Sequence, residues 1–250
     1  DLESNATAII EGSVSWSFLG QCADGIGDIN GDGFDDIMIG VPGHTSDDPT
    51  DPAEGRVDLF LGPITGSLSD EDADYSWEGD SPGDYLGYEI ASGEDLDGDG
   101  VVDVAIGAYK SSAVARDGGS VWILSGAELE MIATLDGVLE EGRAGAALDL
   151  LANGDDPGSL LIGVPTSSSA DVHRSGAIHI LHGPLSGSQQ LGADSRVEGT
   201  EIDGRFGSSV AGAGDLDGDG IEEVLVGTPG SYAGELRTGA VYLLLGSALP

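Results

Sequence analysis

Residues 214–229 of this chain read Gly-Asp-Leu-Asp-Gly-Asp-Gly-Ile-Glu-Glu-Val-Leu-Val-Gly-Thr-Pro. Acidic side chains stand at alternate positions in the first half of this stretch, and the apolar run that follows ends at Gly227. Units of the same kind begin near Phe18, Tyr85, Gly142 and Arg205, at a spacing of about 60 residues. Repetition of one unit along a chain predicts a repeat architecture and limits the fold more strongly than any single motif does.

Each repeat contains short segments with the composition of β-strands. Apolar runs that end in Gly and often Pro, which indicate buried strands closed by turns, occupy residues 37–42, 104–108, 160–165 and 224–229. A third strand is predicted at residues 56–62, 121–124, 177–181 and 240–246, and a weaker fourth strand at residues 74–79 and 195–199. This pattern predicts an all-β fold, a β-propeller of four four-stranded antiparallel blades.

The N-terminal segment, residues 6–12, resembles a fourth strand without a blade of its own. We expect it to complete the last blade and to remove an exposed sheet edge, so that the ring closes. The whole chain, residues 1–250, is then one propeller domain with repeats at residues 13–79, 80–140, 141–199 and 200–250. The alternatives are a fragment of a larger ring, or a ring that two chains share.

The composition supports many tight turns and excludes several classes of partner. Gly accounts for 43 of the 250 residues, and this excess is typical of short-stranded β-folds. The chain has 46 Asp and Glu residues against 8 Lys and Arg residues, a net charge of −38. Such a charge repels nucleic acid and anionic membranes. The carboxylates either form clusters that hold hard cations or make a solvated acidic surface.

We expect the chain to be soluble and monomeric. No apolar run reaches the ~18 residues needed to span a bilayer, so we expect no membrane insertion. Cys22 is the only cysteine, which excludes an internal disulfide framework, and we expect its thiol to be buried and inert.

Three loops between first and second strands carry oxygen-bearing side chains with spacing that suits Ca²⁺, a cation that takes six to eight oxygen ligands. Side chains at loop positions 1, 3, 5 and 9 and the carbonyl at position 7 are the predicted ligands, and glycines at positions 4 and 6 allow the turn. They are Asp28, Asn30, Asp32, Phe34 and Asp36; Asp95, Asp97, Asp99, Val101 and Asp103; and Asp215, Asp217, Asp219, Ile221 and Glu223. We therefore predict about three Ca²⁺ ions.

Two departures refine this prediction. An EF-hand needs a Glu at position 12, where these loops have Ile39, Ile106 and Val226, so that motif is excluded. The third repeat has Leu151 at position 1 and Ser159 at position 9, and we expect no tight metal site there.

The order Phe206-Gly207, then Gly-Asp-Leu-Asp-Gly-Asp-Gly from Gly214, then Val-Gly-Thr-Pro to Pro229 resembles FG-GAP repeats of integrin α N-terminal-like β-propellers. The resemblance implies Ca²⁺ in the acidic loops, a secreted or cell-surface location, and adhesion through a protein or glycan ligand. Propellers of that kind usually have seven blades, whereas this chain has four repeats.

A ligand face is predicted opposite the acidic loops, because successive loops of an antiparallel blade alternate between its two ends. The candidate ligand-binding residues are Arg116, Arg174, Arg237, Tyr109 and Tyr232. Local pairing of these arginines with abundant Asp and Glu is the alternative. We predict a binding module and no enzyme, because no histidine has the spacing of a catalytic pair. A structural spacer and a Ca²⁺-dependent hydrolase or lyase stay open as alternatives.

Overall fold

The computed structural model describes residues 6–45, 52–153, 156–169, 171–233 and 236–250. Over these residues the regular structure is β-strand, apart from two short 3-10 turns at Asp70–Asp72 and Gly246–Ala248. The predicted all-β class is therefore confirmed. No helix within these ranges has the length and apolar character that crossing a bilayer requires.

The first repeat forms a four-stranded antiparallel sheet. Regular structure begins with β1 (Ala8–Glu11), β2 (Ala23–Gly27), β3 (Asp36–Val41), β4 (Arg56–Phe60), β5 (Gly66–Ser69) and β6 (Tyr75–Glu78). Four of these strands pair in the order β2-β3-β4-β6, whereas β1 and β5 form a separate parallel pair. The apolar run predicted as a second strand is β3, and the weak fourth strand is β6.

The second and third repeats each build a similar sheet. Their strands are β7 (Leu86–Ser92), β8 (Val104–Ala108), β9 (Ser120–Leu124), β10 (Met131–Asp136), β11 (Ala147–Asn153), β12 (Asp156–Val164), β13 (Ala177–His182), β14 (Gly187–Gln190) and β15 (Arg196–Glu198). The second sheet has the order β7-β8-β9-β10, and β14 of the third repeat adds to it in parallel beside β10. The third sheet has the order β11-β12-β13-β15.

The fourth repeat has a smaller sheet than predicted. Its strands are β16 (Ser209–Gly214), β17 (Glu223–Thr228), β18 (Tyr232–Ala233), β19 (Leu236–Arg237) and β20 (Ala240–Leu244). The sheet contains β16, β17 and β20, and β18 and β19 form a separate hairpin. No described strand pairs with the outer edge of β20, and its Val241 and Leu243 are 70% and 52% exposed. A fourth strand is therefore missing from this sheet within the described residues.

The hydrophobic cores lie between the sheets of consecutive repeats. One cluster joins Met38 and Val57 of the first repeat to Leu86 and Ile106 of the second. Similar clusters join the second repeat to the third and the third to the fourth. Sheets that pack in this succession are consistent with a β-propeller. Among the described strands no sheet closes on itself, and the first and last sheets do not pair.

The structure corrects the predicted position of the N-terminal strand. β1 pairs in parallel with β5 of the first repeat, Ala8 opposite Gly66, and does not complete the last sheet. The backbone N–H of Ser13 donates a hydrogen bond to Asp70 Oδ1 at 2.7 Å, which holds this segment against the first repeat. The strand β10 lies against β14 in the same parallel manner, Ala133 opposite Gly187.

Candidate functional site

The three acidic loops adopt one backbone arrangement, which the carboxylate at position 1 organises. Each loop joins the first and second strands of its sheet, so that in the second repeat it connects β7 to β8. Asp95 accepts a hydrogen bond from Gly98 N–H at 2.6 Å and another from Gly100 N–H at 2.8 Å. Asp28 and Asp215 accept the two equivalent hydrogen bonds in their own loops. The repeated spacing of acidic residues in the sequence thus corresponds to one loop conformation that recurs in the structure.

Carboxylate oxygens converge in two of these loops. Asp95, Asp97 and Asp99 each offer an oxygen within 4.8 Å of the others, and Asp215, Asp217 and Glu223 do the same. An all-oxygen set of this kind fits a hard cation such as Ca²⁺. In the first loop, position 3 is Asn30, whose amide donates to Asp32 Oδ2 at 3.2 Å. No group of three carboxylates converges there among the described residues.

The residues at position 7 lie where the loop turns into the second strand. Their backbone N–H groups donate to the carboxylate at position 5, at 2.9 Å for Phe34, 2.7 Å for Val101 and 2.9 Å for Ile221. These contacts fix the last part of each loop. That their carbonyls bind a cation stays a prediction.

The acidic residue at position 9 has a structural contact that the sequence did not indicate. Asp36 is fully buried and accepts hydrogen bonds from the backbone N–H of Gly62 at 2.7 Å and of Ile29 at 3.1 Å. Asp103 accepts equivalent hydrogen bonds from Gly126 at 3.1 Å and Leu96 at 2.8 Å. Because Gly62 and Gly126 follow the third strand, these carboxylates tie the acidic loop to that strand.

Burial and backbone hydrogen bonds move the pKa values of the acidic residues in the second loop in opposite directions. Burial raises the pKa of Asp103 to about 6, although backbone N–H donors oppose the rise. Burial and the charges of Asp99 and Asp95 raise the pKa of Asp97. Burial also acts to raise the pKa of Asp95, but the N–H groups of Gly98 and Gly100 outweigh it and the net pKa is lowered.

The third repeat differs at the positions that depart in sequence. Leu151, at position 1, is 5% exposed and belongs to the core between the third and fourth repeats. Ser159, at position 9, is 1% exposed. Residues 154 and 155 lie outside the described residues. The Leu151 side chain supplies no ligand oxygen at position 1, and the absence of a tight metal site in this loop stays a prediction.

The histidines form no accessible catalytic pair within the described residues. Ser159 Oγ lies 2.7 Å from His182 Nδ1, but Ser159 is buried, and His182 Nε2 lies 3.3 Å from an oxygen of Pro250 and not against an Asp or Glu side chain. His179 is 2% exposed and contacts Ser195 Oγ at 3.0 Å. Burial, together with the charge of Arg196, lowers the pKa of His179 to about 4.

The predicted ligand-binding arginines take part in ion pairs. Arg116 lies 2.7 Å from Glu141, Arg174 lies 3.8 Å from the same carboxylate, and Arg237 lies 4.0 Å from Asp203. Arg237 also donates to the Tyr232 hydroxyl at 2.9 Å. Local pairing, the alternative to ligand binding, is thus present, and a ligand role for these arginines stays a prediction.

Three basic residues that were not among the predicted ligand-binding residues differ from those arginines in their ion pairing. Lys110, Arg143 and Arg205 have no carboxylate within 4.0 Å among the described residues, whereas the other five basic side chains each have one. Tyr109, a predicted ligand residue, contacts two of them: its ring centroid lies 5.4 Å from Lys110 Nζ and 5.9 Å from Arg143 Cζ.

Comparison with known proteins matches the FG-GAP repeat family at residues 24–60, 86–124 and 206–244. These segments lie in the first, second and fourth repeats. The chain is 35% identical to integrin alpha-V of Gallus gallus over 171 residues, 66% of this chain and 16% of the relative. It is 31% identical to integrin alpha-PS2 of Drosophila melanogaster over 219 residues, 80% of this chain and 14% of the relative. The chain thus spans a small part of these relatives.

Proposed function

We propose, on the premise that this chain carries FG-GAP repeats and is homologous to integrin alpha chains, that it is a calcium-binding adhesion module. Its four sheets are the blades of one propeller domain over residues 1–250. Its location is extracellular or at a cell surface, and its ligand is a protein or a glycan. It carries out no catalysis.

The observation that carries the calcium assignment is the shared geometry of the acidic loops. In all three, the carboxylate at position 1 accepts the same two backbone hydrogen bonds, and in two of them three carboxylates converge within 4.8 Å. Carboxylates at this distance repel one another, and a cation bound between them offsets that repulsion. We assign one Ca²⁺ to each of the three acidic loops, which lie in the first, second and fourth repeats, and none to the third repeat.

Calorimetric titration of Ca²⁺ into chelator-stripped protein tests this assignment, with thermal unfolding followed in parallel. We expect about three sites and a higher melting temperature, because a ligand that binds only the folded state stabilises it. Asp95→Ala and Asp215→Ala should each remove one site. Glu128→Ala changes an exposed carboxylate outside the loops and should leave the stoichiometry unchanged. Absence of binding heat would contradict the calcium assignment.

The adhesion role is tested by binding of the calcium-loaded chain to surfaces coated with neutral glycans, acidic glycans or extracellular-matrix proteins. We expect binding to one class, and Arg174→Ala and Arg237→Ala report whether the predicted ligand face takes part. No binding on any surface, with calcium binding intact, would favour the structural spacer over the adhesion module.

A further inference from the structure

Lys110, Arg143 and Arg205 are unusual in a chain with 46 acidic and only 8 basic residues. With such an excess of carboxylates, a basic side chain is expected to find one within ion-pair distance. These three do not, over the part of the chain that the structure describes. Their charged groups therefore have no direct ion-pair partner among the described residues.

Tyrosine rings hold two of these cations in place. Lys110 Nζ lies 4.5 Å from the ring centroid of Tyr85 and 5.4 Å from that of Tyr109. Arg143 lies over the same Tyr109 ring, which in turn packs on Tyr88 with 4.1 Å between centroids. Contact with an aromatic face stabilises a cation but leaves its hydrogen-bond donors available.

A small cavity of about 150 Å³ adjoins this group. Its polar lining comes from Tyr88, Tyr109, Arg143, Thr166, Arg205 and Ser208. The Nε atom of Arg143 is buried and has no hydrogen-bond partner. A buried donor without an acceptor is costly, so an acceptor that reached this atom would be stabilised. Lys110 contacts the Tyr109 ring from the neighbouring groove, which Asp80, Asp84, Asp117 and Asp136 also line.

The two arginines occupy equivalent positions in the third and fourth repeats. Arg143 precedes Ala144-Gly145 and Arg205 precedes Phe206-Gly207, and both have positive φ, 63° and 58°. In the first two repeats this position holds Phe18 and Tyr85, also with positive φ. The same strained backbone conformation recurs at this position in each repeat, so these side chains project from equivalent turns. Strain of this kind clusters at functional sites.

The cavity lies on the face opposite the acidic loops. Tyr88 is near the start of β7 and Tyr109 directly follows the end of β8, whereas the acidic loop joins the other ends of these two strands. At physiological ionic strength, charges separated by more than about 8 Å are largely screened. The carboxylates of the distant acidic loops therefore contribute little within the cavity, whereas Arg143 and Arg205 line it and Glu89 adds a negative charge near Tyr88.

We infer that Lys110, Arg143, Arg205, Tyr88 and Tyr109 form a binding site for one acidic side chain of a protein partner. The inference deepens the proposed adhesion role and rests on it. A cavity of about 150 Å³ is below the range of roughly 300 to 1,000 Å³ that encloses a whole small-molecule ligand. It suits one Asp or Glu side chain. Because the chain carries a charge of −38, the partner surface around that side chain is neutral or basic.

The test uses the calcium-loaded full chain and two probes, acetyl-Gly-Glu-Gly-amide and its Gln counterpart, with NMR detection of arginine Nε–H and tyrosine ring signals. We expect saturable shifts of the Arg143 and Tyr109 signals with the Glu peptide and none with the Gln peptide. Added salt should weaken the binding. Arg143→Gln and Arg205→Gln should each weaken it about tenfold or more, since each removes a charge-assisted hydrogen bond.

Arg196→Gln is the matched control, because Arg196 is paired with Glu198 and does not line the cavity, and this variant should bind the Glu peptide as the parent does. Calcium stoichiometry and melting temperature of each variant show whether it is folded. Equal responses to the Glu and Gln peptides overturn the inference. Binding of glucuronic acid without binding of the Glu peptide overturns it in favour of an acidic glycan. If the Glu peptide binds although the titration detects no Ca²⁺ binding, the peptide site stands and only the calcium assignment is wrong.

Discussion

Gly107 in β8 lies so close to Gly145 that a β-carbon on Gly107 would overlap the Gly145 carbonyl oxygen. The second strand of one repeat thus packs backbone to backbone against the start of the first strand in the next. Gly40 and Gly163 make the same approach to the carbonyl oxygens of Gly87 and Gly207. Two glycines of the repeated motif are therefore required by contact between neighbouring sheets.

We expect Gly107→Ala to destabilise the chain by about 2 to 3 kcal/mol, because the added methyl group must displace backbone and cannot rotate away. Gly227, the equivalent glycine of the last repeat, would place its β-carbon against Ser209 Oγ, which can rotate. Gly227→Ala should cost less than about 1 kcal/mol. Urea unfolding of both variants measures the difference, and equal costs would refute the packing argument.

Much of this architecture can be predicted from the sequence because it depends on local chemistry that recurs. The apolar runs become β3, β8, β12 and β17, and the glycine-rich acidic stretches become loops with one geometry. The all-β class follows from that recurrence.

The missed features depend on contacts between distant segments. Strands β5 and β14 are polar, so hydrophobic pattern does not reveal them. A signal was present, since each follows a Gly-Pro dipeptide, at Gly62 and Gly183, and begins with Gly-Ser. The position of β1 depends on its pairing with β5. That Arg143 and Arg205 have no carboxylate within 4.0 Å in the described part of the chain likewise depends on where the carboxylates lie in space.

The buried position of Asp36 predicts a structural role that is separate from metal binding. In chelator, Asp36→Asn should lower the free energy of unfolding by about 1 to 3 kcal/mol. The NH2 group of the new side chain would face a backbone N–H donor where a carboxylate oxygen had accepted a hydrogen bond. Asp32 is exposed and holds only contacts within the loop, so Asp32→Asn should have little effect in chelator. Both variants should weaken Ca²⁺ binding to the first loop. Equal stability of the two variants without calcium would count against this division of roles.

A buried ion network anchors the N-terminal strand. Arg56 bridges Asp58 at 2.8 Å and Asp70 at 2.9 Å, and these two carboxylate side chains are 0% and 3% exposed. Asp70 also accepts the hydrogen bond from Ser13. Arg56→Met leaves two buried charges without compensation, and we expect a loss of about 3 to 5 kcal/mol in denaturant unfolding.

Arg116→Met is the control for this network, since Arg116 is 64% exposed in its pair with Glu141. We expect it to cost less than about 1 kcal/mol, as exposed ion pairs usually do. If Arg56→Met costs no more than this control, the network does not stabilise the fold.

His179 predicts a specific dependence of stability on pH. Burial and the charge of Arg196 lower its pKa from 6.5 to about 4. Between these values the unfolded chain binds a proton that the folded chain does not, so stability is lost as pH falls from 6.5 towards 4. The loss from this group is at most about 3 kcal/mol. His179→Gln should reduce the slope of unfolding free energy against pH in that window. An unchanged slope in His179→Gln would contradict this dependence.

Cys22 should react slowly with thiol reagents while the chain is folded. Its Sγ donates a hydrogen bond to the Gly87 carbonyl at 3.3 Å, and burial, with a smaller effect from Glu89, raises its pKa from 9.0 to about 12. Because the thiolate is the reactive form, labelling by N-ethylmaleimide at pH 8 should be slowed about 1,000-fold relative to the unfolded chain. An exposed thiol, made by Ser112→Cys in a Cys22→Ser background, should react at the ordinary rate. Since Gly87 belongs to the next repeat, rapid labelling of native Cys22 would show that the contact between the first two sheets opens frequently.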